Sequence, residues 1–260
     1  LKLLNNVLEL NKLTKAFGGL IAVNDVSFKV KQDSITGLIG PNGAGKTTIF
    51  NLITGVYKVT EGKIIFQDKE ITNKEPYQIA DAGITRTFQN IRLFKKLTVF
   101  ENVLTACQSN ASYGLMESLF RLGKLSFPRF NREERQLNEQ ATELLNIMGL
   151  YDRKDVTANN LPYGLQRRLE IARALALNPK LLLLDEPAAG MNPDETEQLM
   201  HLISEIRSKF KLSILIIEHH MDLIMGICEE IKVLNFGSKL AEGTPKAVQD
   251  NEKVIEAYLG

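Results

Sequence analysis

Gly40-Pro41-Asn42-Gly43-Ala44-Gly45-Lys46-Thr47-Thr48 is the stretch on which the fold turns. Its spacing, G-x-x-x-x-G-K-[ST], is that of a phosphate-binding P-loop. Glycines at this density let the backbone curl until successive N–H groups point at one anion. Upstream, Ser34–Ile39 reads as a buried strand; downstream, a helical stretch begins near Thr47 and stops at Gly55. A helix that starts on such a turn adds its positive end to the same anion. With glycine at about 7% of residues, a chance match in this length is on the order of one in a hundred, and the strand–turn–helix setting lowers that further. Lys46 is thereby set to bridge β- and γ-phosphates, and Thr47 to offer a hydroxyl to Mg²⁺.

Outward from the loop, Leu181-Leu182-Leu183-Leu184-Asp185-Glu186 gives a buried strand with two acids at its carboxyl end. Open α/β sheets bind ligands at that end. Asp185 would hold Mg²⁺, directly or through water, and Glu186 would polarise an attacking water as general base. Alone, a strand running out into solvent is an equally good reading; beside a P-loop the catalytic one is stronger. Asp194–Lys209 reads as a helix, Leu212–Ile217 and Lys232–Asn235 as strands. Near-continuous apolar strands alternating with helices mean a parallel sheet covered on both faces. Before the loop and just after it, Val7–Leu13, Val26–Val30 and Ile64–Phe66 read as short strands. From Thr98 to Asn159 the pattern turns helical, in Val99–Ala106 and Glu133–Met148, with apolar positions at Leu137, Ala141, Leu144, Leu145 and Met148. The basic stretch Arg121–Arg135 contains Pro128 and reads as a loop or broken helix. Short helices over Lys246–Gln249 and Glu252–Tyr258 close the chain.

Composition narrows the partners. The 260 residues carry 32 Lys and Arg against 31 Asp and Glu, a formal charge of +1, which gives no electrostatic case for nucleic acid. The longest apolar runs, Leu181–Leu184 and Ile214–Ile217, fall far short of the roughly 18 residues that cross a bilayer. Asn5, Asn6 and Glu9 break the first apolar stretch, so it does not read as a signal peptide. Cys107 and Cys228 belong to no metal-ligand spacing and suit a reducing cytosol. The motifs are not repeated. The expectation is a cytoplasmic protein that does not itself span a membrane.

Asn160-Leu161-Pro162-Tyr163-Gly164-Leu165-Gln166-Arg167-Arg168 leads into a helix that ends before Asn178-Pro179, and Asp185-Glu186-Pro187 follows. This order resembles the ATP-binding cassette (ABC) family over nearly the whole chain. The resemblance implies an α/β fold: a P-loop NTPase (RecA-like) core, an antiparallel β subdomain and an inserted α-helical subdomain. It implies one domain over residues 1–260, with core and β subdomain at 1–95 and 166–240, the helical insertion at 96–165 and C-terminal helices at 241–260. It places Gln89 in the Q-loop, His219 as the switch histidine, Ala189-Gly190-Met191-Asn192 as the D-loop and Phe17 as the aromatic that stacks on adenine. The implied catalytic set is Glu186, His219, Gln89 and Lys46. ATP is then held by Phe17 and by Gly40, Pro41, Asn42, Gly43, Ala44, Gly45, Lys46, Thr47 and Thr48, and Mg²⁺ by Thr47, Gln89 and Asp185. Singly, a His after a strand, a Phe near one or a Gln in a loop would mean little; their shared order gives them weight. His201 lacks such support and reads as an ordinary helix residue.

Within the family the likeness is to the LivG-type ATPases of branched-chain amino-acid importers. It rests on Phe17-Gly18-Gly19, Arg86-Thr87-Phe88-Gln89, Tyr163-Gly164 ahead of Gln166–Arg173, Glu186-Pro187-Ala188-Ala189-Gly190 and the tail Ala257-Tyr258-Leu259-Gly260. The resemblance implies a second ATPase chain as partner, a different one or a second copy. It also implies two integral-membrane permease subunits, a substrate-binding protein reached through the complex, and a peripheral position on the inner face of the cell membrane. Ile91, Leu93 and Phe94 read equally as part of a permease-docking groove or as internal packing. The transported solute follows from the likeness alone.

The chain departs from the family in its signature, Leu161, Pro162, Tyr163, Gly164, Leu165 and Gln166, where the usual run is Leu-Ser-Gly-Gly-Gln. Pro162 removes a hydroxyl and a backbone donor, and each hydrogen bond lost to a charged group is worth about 1.5–3 kcal/mol. Gly164 and the helix N-terminus remain. The implied partner is therefore a different ATPase with an intact signature, which would complete the site built on Lys46 and Glu186. Asn192 stands in place of the usual D-loop Asp. Rival readings are the ATPase of another transporter, such as lipopolysaccharide export, or a non-transport ABC ATPase acting on nucleic acid. The latter usually shows two cassettes or a long coiled-coil insertion, and a P-loop kinase would make no use of the signature segment.

Overall fold

Two long strands open the chain in a computed structural model that describes residues 6–108 and 128–259. Strands β1 (Asn6–Phe17) and β2 (Leu20–Lys31) pair antiparallel, and β4 (Glu61–Phe66) lies on the other side of β1. With β5 (Lys69–Glu70) they form a four-stranded sheet in the order β2-β1-β4-β5. The strands expected at residues 7–13, 26–30 and 64–66 lie inside these longer ones. Their full length escapes the sequence pattern because the β1–β2 register shifts between Leu10 and Leu13, with Lys12 and Asp25 at positive φ. A bulge breaks the period of two by which strands are read.

The second sheet has six strands in the order β10-β9-β3-β8-β7-β6. They are β3 (Ile35–Ile39), β6 (Ile84–Arg86), β7 (Leu181–Asp185), β8 (Ser213–Ile217), β9 (Glu230–Asn235) and β10 (Ser238–Gly243). All neighbours are parallel except β10, which runs antiparallel to β9. Every residue of β3, β7 and β8 is buried, as strands covered on both faces require. Helix α1 (Lys46–Ile53) follows β3, and α2 (Pro76–Ala82) precedes β6. One apolar cluster joins the sheets, with Leu10, Val26 and Phe66 from the first, Leu183 and Leu215 from the second, and Phe50 and Ile53 from α1.

Contacts divide the chain into one unit of residues 1–89 and 179–260 and another of residues 90–178. In the second unit, α3 (Val99–Gln108) packs on α4 (Pro128–Ile147) and α5 (Tyr163–Leu175). That packing groups α5 with the helices, so the division falls at 89/90 and 178/179 where the sequence placed it at 95/96 and 165/166. The fully buried Asn102 accepts a hydrogen bond from Phe94 N–H (3.0 Å) and donates to the carbonyls of Phe94 and Thr98. The break expected over residues 121–135 lies partly outside the described residues. From Pro128 the chain is one helix, and proline is tolerated at a first helical position because that N–H has no intrahelical partner.

The first unit is completed by α6 (Pro193–Phe210), α7 (Met221–Ile227), α8 (Pro245–Gln249) and α9 (Glu252–Leu259). Residues 241–243, assigned from the sequence to the C-terminal helices, end strand β10 instead. Among the described residues, no helix is long and apolar enough to cross a membrane.

Candidate functional site: a P-loop facing two carboxylates

The P-loop joins the carboxyl end of β3 to α1, and its shape needs its glycines. Gly40 has φ 152°, and a Cβ there would lie 2.2 Å from the Leu234 carbonyl oxygen. Gly45, at φ 98°, would meet the Ala22 carbonyl at 2.7 Å. No L-residue with a side chain fits either place without shifting backbone. The turn after β9 braces the loop from outside, with Gly237 N–H donating to Ala44 O (3.2 Å). Lys46 is buried, and its ammonium donates to the carbonyls of Gly40 (2.7 Å) and Pro41 (2.9 Å). Burial lowers its pKa from the ordinary lysine value, opposed by the charges of Glu186 and Asp185. Thr47 and Asn42 are exposed, so the loop presents a hydroxyl and open backbone beside a held cation.

Strands β8, β7 and β6 follow β3 in the sheet order and run parallel to it, so their carboxyl ends bring further groups to the same edge. Glu186 follows β7 with φ 46°, in the left-handed region, and its N–H donates to Ile217 O (2.9 Å). Its carboxylate accepts a hydrogen bond from Gln89 Nε2 at Oε2 (2.7 Å), and His219 Nε2 lies 3.0 Å from Oε1. Residues 97 and 33 positions away in sequence thus converge on one carboxylate.

Glu218 was not recognised in the sequence. It is buried, accepts Ala188 N–H at Oε1 (2.7 Å), and takes His219 N–H (2.8 Å) and His220 N–H (3.2 Å) at Oε2. It ties the turn after β7, at Ala188, to the histidine turn. Its signal was an acid directly after the apolar run Ile214–Ile217, as Asp185 directly follows Leu181–Leu184.

Phe17 is exposed at the end of β1, edge-on to Tyr57 (5.1 Å between centroids), with the Lys15 ammonium 4.7 Å from its ring centroid. Ala189, Gly190 and Met191 lead to Asn192, which caps α6. Its Oδ1 accepts Glu195 N–H (2.9 Å), and Glu195 Oε2 accepts Asn192 N–H (3.0 Å). His201 is exposed on α6, 3.9 Å from Glu197, in line with an ordinary helix residue.

The signature residues belong to the 90–178 unit. Pro162 is the N-cap of α5, its carbonyl accepting from Leu165 and Gln166 N–H, both at 3.0 Å. Leu161 is buried, Tyr163 exposed, and Gln166 Nε2 closes the turn on Leu161 O (2.8 Å). Fully buried Arg167 pairs with Glu170 (2.7 Å) and donates to the Tyr163 hydroxyl (3.3 Å). Glu170 also accepts Arg92 N–H (3.3 Å), and Arg173 sits over the exposed Phe94 ring (4.6 Å). Ile91 and Leu93 are half-buried.

A sequence-family model described as ABC transporter matches residues 23–189, which includes the P-loop, Gln89, the signature segment and both acids. The chain belongs to the ABC transporter ATPase family. A second model, described as branched-chain amino acid ATP-binding cassette transporter, matches residues 238–260. The high-affinity branched-chain amino acid transport ATP-binding protein BraF of Pseudomonas aeruginosa is 46% identical over 254 residues, covering 98% of each chain. The protein of the same description named LivG, from Escherichia coli K12, has the same identity and coverage. The solved ADP conformation of MJ1267, an ATP-binding cassette of an ABC transporter, superposes with TM-score 0.84 at 34% identity, covering 98% of this chain and 99% of that one. As an ABC ATPase the chain binds and hydrolyses ATP, on the α/β P-loop fold that its sequence implied.

Proposed function

We propose that this chain is the ATP-hydrolysing subunit of a branched-chain amino-acid importer, working at the inner face of the membrane on permease subunits. The observation that carries the reading is the convergence of Gln89 and His219 on Glu186 beside a preformed P-loop. The solute rests on relatives named for branched-chain amino-acid transport at 46% identity over 98% of the chain.

In this reading the P-loop backbone and the α1 N-terminus cradle the phosphates of ATP, and Phe17 stacks on the base. Lys46 leaves its loop carbonyls for the β- and γ-phosphates. The residues fit Mg²⁺: a carboxylate (Asp185), a hydroxyl (Thr47) and a carboxamide (Gln89) are hard oxygen donors. Among the described residues no group of three or more His, Cys, Asp or Glu forms an all-protein cage, as suits an ion that arrives with phosphate oxygens. Bound there, Mg²⁺ would neutralise charge on the β- and γ-phosphate oxygens. Glu186 takes the proton of the attacking water, and His219 and Gln89 orient its carboxylate.

The signature without a serine supports a different ATPase chain as partner, one whose own signature completes the site on Lys46 and Glu186. ATP draws the two cassettes together, hydrolysis releases them, and the permease reads the motion. A substrate-binding protein would deliver the solute from outside. Hydrolysis by this chain alone, by its candidate partner and by the mixture tests the pairing; the mixture should exceed the sum at least several-fold. Proteoliposomes with both ATPases and the permease should take up leucine, isoleucine or valine on ATP. Full single-chain activity with no gain on mixing would remove the heteromeric reading, and absence of uptake would remove the solute.

A further inference from the structure

One buried cation at the site has no part in the reading so far. Arg86 ends β6, three residues before Gln89, and its Nη2 lies 2.6 Å from Asp185 Oδ2. Both side chains are almost wholly out of solvent, at 6% and 5% exposure. Its other terminal nitrogen, Nη1, donates to Asn51 Oδ1 on α1 (2.7 Å). The rings of Phe50 and Phe88 lie 5.4 and 5.1 Å from its central carbon. One guanidinium therefore touches the P-loop helix, the β7 carboxylate and the segment leading to Gln89.

A buried carboxylate is costly without a partner of opposite charge, and nothing then fixes its orientation. We propose that Arg86 is the resident counter-ion of Asp185, a positioning residue that balances this carboxylate and fixes its orientation before nucleotide and metal arrive. The pair engages only Oδ2, so Oδ1 stays outside it for the incoming ion. Anchored by Asn51 and flanked by two rings, the guanidinium cannot follow the carboxylate elsewhere. A fixed cation also repels free Mg²⁺, so the site waits for Mg²⁺ that comes with phosphate. This rests on Asp185 as a Mg²⁺ ligand.

The full chain without nucleotide, with MgCl₂ as probe and NaCl at matched ionic strength as control, tests it by thermal unfolding. Wild type should show no rise in midpoint with millimolar Mg²⁺. Arg86→Met should fall on the order of 10 °C, the effect of breaking a buried ion pair from one side, and Mg²⁺ should restore a substantial part. The double variant Arg86→Met/Asp185→Asn should show no such restoration. A fall that Mg²⁺ leaves untouched would make Arg86 a mere structural strut and overturn the proposal. Should Arg86→Met not fold, Arg86→Gln, which keeps a donor without the charge, must show the same Mg²⁺ response, and none would overturn it. Asp185→Asn in an otherwise unaltered chain separates the premise: it should abolish the Mg²⁺ enhancement of ATP binding. An unchanged enhancement would remove Asp185 as ligand, and the proposal with it.

Discussion

Glu186 is held where few L-residues stay, at φ 46°. A bulky residue in the left-handed region costs about 1–2 kcal/mol, and it persists because its surroundings over-determine it. Its N–H is pinned to Ile217 O, and its two carboxylate oxygens are engaged by Gln89 and His219. Glu186→Gln keeps the backbone and nearly the volume but loses the carboxylate proposed as the base. That variant should bind ATP within a few-fold of wild type, lower turnover by 10²-fold or more, and accumulate as an ATP-bound dimer. Equilibrium binding beside single-turnover hydrolysis checks this, and near-normal turnover would assign the base elsewhere. Lys46, Asp185 and Glu186 stand in short, fixed patterns that a sequence displays, whereas Gln89 stood out only through its place in the family's order. Glu218 and Arg86 were not legible, since their partners Ala188 and Asp185 lie 30 and 99 positions away. Only the pairing of β6 with β7 and of β7 with β8 brings them together.

The elements divide by how much of their reason is local. Strands β3, β7 and β8 are apolar throughout because both faces are covered, and such runs are read directly. Strand β6 has three residues and β10 is a partly exposed edge strand, so neither carries a decisive pattern. Helix α6 was expected over residues 194–209 and runs Pro193–Phe210. Its start explains Asn192, where the family usually has Asp: either side chain can accept Glu195 N–H. Asn192→Ala should therefore lower stability by about 1 kcal/mol, while Asn192→Asp should keep it, since an anion at a helix N-terminus is favourable. Urea unfolding of the three proteins measures both; an unperturbed Asn192→Ala would show that Pro193 and Glu195 start the helix without the cap.

For the whole molecule, the two cysteines report on the two units separately. Cys107 lies on α3 in the 90–178 unit and Cys228 at the end of α7 in the other, both buried and unpaired. Burial pushes the Cys107 thiol up to about 11 and the Cys228 thiol up to about 12, the latter also raised by the neighbouring Glu229 charge. Only the thiolate is alkylated, so at pH 8 the folded chain offers roughly a hundredth and a thousandth of the thiolate of an unfolded one at these two positions. Iodoacetamide should modify both at least ~100-fold more slowly in buffer than in denaturant, Cys228 the slower. The linkage has a definite sign: each thiol ionises in the unfolded chain first, so folded-state stability is full below the ordinary thiol range near 9. It declines as pH rises from there towards 11 and 12. If Cys107 becomes reactive at a lower urea concentration than Cys228, the helical unit opens by itself, ahead of the P-loop unit. That is the behaviour expected of a part that moves in the proposed ATP cycle. Coincident exposure at a single midpoint would instead show one cooperative block, and the motion delivered to a permease would then have to be sought between whole cassettes.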